Sequence, residues 1–376
     1  MARASVARAV SGISGGVGGD ADRHIAGEHA ERIRGGLSFG PLADVAALPG
    51  VTDIAVLGDG SVWADTGGGM RPCDRIAAFR TPGMVRDYAV GLCAQLGRRL
   101  DDSCPIADAS TIDGVRVHAV IEPLVPAGAS LSIRLPDGRM DTLSTLTRVG
   151  FVPPGWDRRL ATLVRRRASI MVCGGTGTGK TTLLKALLGA CDAHERIVSV
   201  EETRELGRIG HGNHVPLVAR EPNVEGAGAV TLADLVKATL RMRPDRIVLG
   251  ECRGEEVCDL MRAFNSGHRG GMVTIHADGV ERVPGRLVGL GHLAGLSTQA
   301  VHSLAAGAFD VILHLERFSA GRRIAQIGLL DMDADGRLHG RVVCSWQARP
   351  DRDGRLIMQG RRSVHWQGFA ARWGLE

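Results

Sequence analysis

The sequence predicts an α/β protein in which a mainly parallel, helix-covered sheet follows a smaller α+β domain. Three observations carry this expectation. Ile170-Met171-Val172-Cys173, a glycine-rich turn and Leu183–Leu188 read as strand, loop and helix. Downstream, short apolar runs at 196–200, 246–249, 272–275 and 311–315 alternate with helical stretches, the signature of βα units and a parallel sheet. Upstream, a hairpin signal and two more strand candidates surround one amphipathic helix.

Taken in order, residues 1–35 are small, polar and charged, with at most one short helix near 27–34, and read as a flexible tail. Residues 36–137 form the α+β domain. Asp53–Leu57 and Ser61–Ala64 are strand-like and flank Gly58-Asp59-Gly60. Pro82–Arg99 carries Val85, Tyr88, Ala89, Leu92 and Leu96 at helical spacing, and Gly114–Ile121 and Ser130–Arg134 are further strand candidates. Leu135–Gly155 is a Pro/Gly-punctuated connection with an amphipathic piece at Thr142–Val149, and a helix at Asp157–Arg167 leads into the first strand of the main domain, residues 138–345. Residues 346–376 read as a basic tail with Trp346, Trp366 and Trp373. Basic residues interleaved with aromatics can stack on nucleic acid bases, although packing on the parent domain or a partner is the commoner use of such a tail. Asp331-x-Asp333-x-Asp335-Gly336 imitates a calcium loop, but its twelfth position is Val342 rather than Glu, so a turn between two strands is expected.

Composition narrows the class. The 376 residues are 44% apolar and 23% charged, with a formal charge of +5, ordinary for a globular chain with a sizeable core. The arginines are dispersed and do not by themselves indicate nucleic acid. Eight scattered cysteines without a C-x-x-C suggest buried, reduced thiols in the cytoplasm rather than a disulfide framework, and Cys252 and Cys258 lack the spacing of zinc ligands. No apolar run approaches the roughly 20 residues of a membrane span, so membrane association is expected only through partners.

The chemistry centres on Gly174-Gly175-Thr176-Gly177-Thr178-Gly179-Lys180-Thr181-Thr182, a complete G-x-x-x-x-G-K-[ST] in the strand–loop–helix context a P-loop needs. Its glycines allow backbone N–H groups to curl around an anion, and the following helix adds its N-terminus. Lys180 is expected to reach the β/γ-phosphates, and Thr181 to supply a hydroxyl to Mg²⁺. Ligands on such sheets sit at the strand carboxyl ends. There the sequence places Glu201, Glu202 and Glu205, then Glu251, then His276. Carboxylates so placed can hold Mg²⁺ through water or orient an attacking water.

Four ordered boxes carry a resemblance to a known group: 174–182; 197–206, reading Ile-Val-Ser-Val-Glu-Glu-Thr-Arg-Glu-Leu; 241–251, reading Arg-Met-Arg-Pro-Asp-Arg-Ile-Val-Leu-Gly-Glu; and Asn265-Ser266-Gly267-His268 through Thr274-Ile275-His276-Ala277. With Gly40-Pro41-Leu42, 113–117, Ile133-Arg134 and 309–314 they cover about residues 38–333. The chain resembles the type II/type IV secretion traffic ATPases, and within them the CpaF/TadA-like ATPases of tight-adherence pili and conjugation. The resemblance implies a RecA-like P-loop ATPase core with a smaller N-terminal domain, a homohexameric ring, ATP and Mg²⁺, and inner-membrane secretion or pilus platform partners at the cytoplasmic face of the membrane. It assigns Glu201, Glu202 and Glu205 to an acidic box and Glu251 to water orientation, with Gly250 where a Walker B aspartate usually stands. It makes His276 a γ-phosphate sensor with His268 nearby, and Arg134 the charge that reaches nucleotide from the N-terminal domain. Arg116, Arg241 and Arg243 are further cationic candidates. The sequence departs from the family at Glu202 (usually Asp), at Glu122-Pro123 (often Pro-Pro) and at Pro284, which is expected to interrupt a helix. Two rival readings are a DNA-translocating RecA-like motor and an assembly module that binds nucleotide without significant turnover.

Overall fold

The computed structural model describes residues 37–111, 113–136, 142–220, 222, 226–318, 321–350 and 356–375. The tail at 1–35 and its short helix lie outside the described residues. The chain divides into two compact units, Met1–Arg139 with Thr203–Arg208, and Met140–Glu202 with Ile209–Glu376.

The first unit is a six-stranded antiparallel sheet in the order β3-β2-β1-β6-β5-β4. A short helix α1 (Ala43–Ala46) precedes β1 (Asp53–Val56), β2 (Val62–Asp65) and β3 (Met70–Pro72); α2 (Pro82–Gln95), β4 (Ile106–Ser110), β5 (Arg116–Ile121) and β6 (Ala129–Arg134) follow. Burial alternates residue by residue along β1, β2, β5 and β6, as one covered sheet face requires. Helix α2 supplies the cover, starting at Pro82 behind the Thr81 cap, whose side chain accepts from Met84 N at 3.3 Å. Its buried stripe is Val85, Ala89, Leu92 and Cys93. Tyr88 packs edge-on against Phe79 and donates to Phe39 O at 2.9 Å, satisfying its hydroxyl at the core margin.

The second unit is a nine-stranded sheet, β15-β14-β13-β12-β7-β11-β10-β8-β9. Helices α3 (Leu143–Arg148) and α4 (Trp156–Arg165) lead to β7 (Ile170–Gly174) and α5 (Lys180–Leu188). Then come β8 (Ile197–Glu201), β9 (His214–Val218), α6 (Leu232–Thr239), β10 (Arg246–Cys252), α7 (Glu256–Asn265), β11 (Met272–Ile275), α8 (Val283–Leu293), α9 (Thr298–Ala308) and β12 (Val311–Phe318). Strands β12, β7, β11, β10, β8 and β9 are parallel. Every residue of β7, β8 and β11 is buried, because helices cover both faces: α3, α4 and α5 pack together on one side, and α6 to α9 on the other. This is the α/β architecture the alternating runs predict, with the antiparallel strands β13 (Gly321–Met332), β14 (Leu338–Pro350) and β15 (Leu356–Arg362) added at one edge.

Two local expectations change. Pro284 does not interrupt a helix. It stands in the first turn of α8, where the missing N–H leaves no intrahelical bond unmade. The segment expected as a basic tail is built into the second unit: Trp346 lies on β14, and a final helix α10 (Trp366–Trp373) follows β15. Trp156 meets Trp346 and Trp366 edge-on, at 5.4 and 5.9 Å between ring centroids, and Arg159 donates to Leu375 O at 3.2 Å. Arg372 pairs with Asp310, whose other carboxylate oxygen accepts from Ser169 N at 2.9 Å. The aromatics are thus spent on the domain's own packing. The Asp331–Gly336 stretch is a turn between β13 and β14, with Asp333 accepting from Asp335 N and Arg337 N.

All eight cysteines are free. Cys252 and Cys258 are buried in the core, and among the described residues no group of His, Cys, Asp and Glu is arranged to hold a metal alone. Burial pushes the Cys173 thiol up to about 12, which leaves it a packing residue beside the P-loop. No helix among the described residues is long and apolar enough to cross a membrane.

Candidate functional site: a P-loop and the strand ends beside it

β7 ends at Gly174 and α5 begins at Lys180, so 175–179 must reverse the chain within one short turn. Two glycines show why side chains are excluded. Gly174 has φ +153°, and a Cβ there would stand 2.6 Å from Leu315 O. Gly179 caps α5 at φ +93°, with Phe151 Cε2 at 2.8 Å from a built Cβ. Gly175, Thr176 and Gly177 are exposed at the loop crest. Thr178 is buried and donates to Gly175 O at 2.9 Å, bracing the loop from inside. Thr181 and Thr182 lie in the first turn of α5, half-buried. The loop is an anion cradle backed by a helix N-terminus.

Lys180, only 7% exposed, donates to Gly174 O and Gly175 O at 3.1 and 3.0 Å. Its ammonium also lies 4.0 Å from Glu251 Oε1 and 3.5 Å from His276 Nδ1. His276 Nε2 is 2.7 Å from Glu251 Oε1. Lys180, Glu251 and His276 therefore converge, delivered by the ends of three adjacent strands. Burial alone would push Glu251 up, but the Arg253 hydrogen bond and charge, reinforced by His276 and Lys180, hold it below its ordinary value of 4.5. A carboxylate kept ionised beside a lysine can accept a proton-bearing ligand such as water.

The acidic box separates into three environments. Glu201, at the end of β8, is 2% exposed. It lies against Gly250, where a Cβ would meet Glu201 Cγ at 2.8 Å and Oε1 at 3.2 Å. The glycine that replaces the usual aspartate thus makes room for a carboxylate arriving from the neighbouring strand. Glu202 turns outward and pairs with Arg253 Nη1 at 2.8 Å, while another nitrogen of that guanidinium holds Glu251 Oε2. Glu205 belongs to the first unit and pairs with Arg116, which also donates to Thr203. Arg134, at the end of β6, bonds Asp53 Oδ1 at 3.1 Å and is 64% exposed. His268 precedes β11, and Arg241 and Arg243 precede β10, at the amino ends of the strands and away from the P-loop.

Arg253 is the functional candidate that motif reading missed. Its signal was present in the two-residue spacing from Glu251, which puts alternate side chains on one face of an extended segment. For Mg²⁺, the available donors are the Thr181 hydroxyl and the Glu201 and Glu202 carboxylates. These are hard oxygen ligands of the kind Mg²⁺ takes alongside phosphates and waters, and the room Gly250 leaves for the buried Glu201 carboxylate is compatible with such a site.

The profile of the type II/IV secretion system protein family matches residues 39–358. A conjugal transfer protein of Mycobacterium tuberculosis H37Rv is 44% identical over 316 residues, covering 82% of this chain and 88% of the relative. Protein PtlH of the Bordetella pertussis type IV secretion system is 32% identical, with 75% and 91% covered. Protein VirB11 of Agrobacterium fabrum is 32% identical, with 64% and 77% covered. Among solved structures, the pilus retraction motor PilT with bound ADP superposes with a TM-score of 0.57 at 17% identity, covering 80% of this chain and 85% of that one. The likeness to PilT shows the shared RecA-like fold. The chain belongs to the type II/IV secretion system protein family, within the secretion traffic ATPase superfamily.

Proposed function

We propose that the protein is a Mg²⁺-dependent ATPase motor, active as a homohexamer at the inner face of the cytoplasmic membrane. There it would power secretion, Tad-type pilus assembly or conjugation-associated transport through platform proteins. The convergence of Lys180, Glu251 and His276 on the P-loop carries the chemical part of this reading. Loop amides and Lys180 hold the phosphates, and Lys180 exchanges its two carbonyl contacts for phosphate oxygens when nucleotide binds. Glu251, ionised and aimed by Arg253, orients the attacking water; His276 reads the γ-phosphate end. Thr181, Glu201 and Glu202 would hold Mg²⁺, which would supply charge neutralisation at the nucleotide phosphates. Arg134 is the candidate for charge delivered from the N-terminal unit, a role worth about 10³–10⁵ in rate in other phosphoryl-transfer systems.

The test pairs Lys180→Ala with Glu251→Gln. Glu251→Gln should keep nucleotide affinity and lose about 10²–10⁴ in turnover, the scale of a positioned acid–base group, whereas Lys180→Ala should lose binding. Sedimentation of the wild type with ATP and Mg²⁺ should give a hexamer. Secretion or piliation that persists with Glu251→Gln would refute the motor reading and leave the assembly module. DNA-stimulated turnover with a steep salt dependence would favour the DNA motor.

A further inference from the structure

β12 outruns its parallel neighbour. Its last pairing with β7 is Leu315 opposite Gly174, yet the strand continues to Phe318, paired there only with β13. The overhang therefore stands beside the P-loop. In it, Arg317 and Arg322 are direct cross-strand partners, and both are exposed. Arg317 Nη1 lies 3.9 Å from where a Cβ at Gly177 would be, and Arg322 Cδ lies 3.6 Å from the corresponding point at Gly179.

Like charges directly opposite on a sheet are unfavourable, and neighbouring residues show how such a charge is ordinarily settled. Arg323, one position further along β13, is paired with Glu316 at 3.1 Å and stacks on Phe318 at 4.3 Å. Among the described residues, neither the Arg317 nor the Arg322 guanidinium has a hydrogen-bond or ion-pair partner of its own. Two facing guanidiniums beside an anion cradle are complementary to an anion that the cradle itself holds.

We propose that Arg317 and Arg322 form a polyphosphate clamp in cis that grips nucleotide on the α/β-phosphate side of the P-loop. Strand order fixes the side. β12 flanks β7 on one edge, while β11 and then β10, which carries Glu251, lie on the other. Lys180 leans toward Glu251 and His276, so the γ-phosphate end belongs there. The arginine pair meets the phosphates common to ADP and ATP. It contributes affinity rather than transition-state stabilisation, and uniform binding of this kind moves KM and leaves kcat in place.

This inference rests on nucleotide binding at the P-loop, and the experiment separates the two. ADP and a non-hydrolysable ATP analogue are titrated calorimetrically into full-length wild type, Arg317→Ala, Arg322→Ala, the double variant and Lys180→Ala. Arg337→Ala, an exposed arginine on the β13–β14 turn, controls for general electrostatics. Each clamp variant should weaken ADP and the analogue alike, by about tenfold or more, as expected for lost charge-assisted hydrogen bonds. In steady state, KM should rise while kcat stays within about twofold. Arg322→Lys should recover part of the loss. Affinity for ADP within about twofold of wild type, or a loss no larger than that of Arg337→Ala, overturns the clamp. A loss confined to the ATP analogue, or a fall in kcat at unchanged KM, overturns it in favour of γ-phosphate sensing. Wild type that takes up no ADP, or Lys180→Ala that binds as well as wild type, overturns the P-loop reading itself and the clamp with it.

Discussion

Replacing Gly250 by alanine tests whether the glycine exists to house Glu201. The new methyl would lie 2.8 Å from Glu201 Cγ and 3.2 Å from Oε1, closer than ordinary van der Waals contact. Glu201 is 2% exposed and cannot simply swing into solvent. Overpacking of this kind costs about 1–3 kcal/mol, or roughly 2–4 °C of melting temperature per kcal/mol in a domain of this size. The origin of that cost is separable by a double-mutant cycle. In a Glu201→Ala background the obstructing Cγ is absent, and Gly250→Ala should become nearly neutral, giving a coupling of about 1–3 kcal/mol. Thermal melts of the four proteins without nucleotide supply the cycle. Activity adds a second readout. If Glu201 organises Mg²⁺ and its waters, Gly250→Ala should raise the Mg²⁺ concentration needed for half-maximal turnover and affect nucleotide affinity without Mg²⁺ much less. Strictly additive melting shifts, with Gly250→Ala as costly in the Glu201→Ala background as in wild type, would show that the glycine answers only to backbone geometry and would sink the argument.

Other perturbations follow from the same contacts. Because the folded Glu251 carboxyl titrates below its ordinary 4.5, its ionised form contributes stability above the unfolded value, lost as pH falls through the folded one; Arg253→Ala should therefore shift the acid limb of the turnover profile upward, and an unmoved limb would refute Arg253's role. Glu195 holds the almost fully buried Arg246 at 2.7 and 3.0 Å, and that guanidinium also donates to Gly270 O and Val164 O. Glu195→Ala strands this charge at the amino ends of the strands and should cost about 3–5 kcal/mol in denaturant unfolding; a loss below about 1 kcal/mol would show that the carbonyls alone suffice.

The parts legible from the residues alone were those set by local pattern. β7, the loop and α5 follow from an apolar run, glycines and helix formers in immediate succession. The alternating runs imply the parallel sheet, and the ends of parallel strands are where polar residues have a defined destination, which is where Glu251 and His276 stand, at the ends of β10 and β11. Long-range pairing was less legible. The Asp331–Gly336 turn implies a strand on each side, which are β13 and β14, but residues 346–376, the end of β14 with β15 and α10, read only as a basic tail, because antiparallel edge strands carry weaker hydrophobic signals than strands buried on both faces. Trp156, a residue of α4, gives Trp346 and Trp366 their packing partner across a wide sequence separation. Arg317 and Arg322 were invisible for the same reason, since only the register of β12 with both β7 and β13 brings them beside the glycines. Pro284 shows the opposite error: a proline is a breaker or a starter according to which turn it occupies, and the boundary of α8 decides that.

The acidic box shows why a motif and a site are different objects. Glu201, Glu202 and Glu205 are close in sequence, and a motif treats them as one negative patch. The fold gives them three jobs. Strand alternation alone separates Glu201, buried against Gly250, from Glu202, which faces Arg253. Glu205 lies in Thr203–Arg208, a segment belonging to the first unit, where Arg116 holds it and Arg208 pairs with Asp113 at 2.9 Å. One of the three places where the chain passes between the units is thus the peptide bond joining Glu202 to Thr203. Substitutions across the box should consequently fail in different ways: Glu201 in metal dependence, Glu202 through the aim of Arg253 on Glu251, and Glu205 through the anchoring of Arg116. A uniform phenotype for all three would mean that their summed charge, rather than their separate partners, is what the site uses.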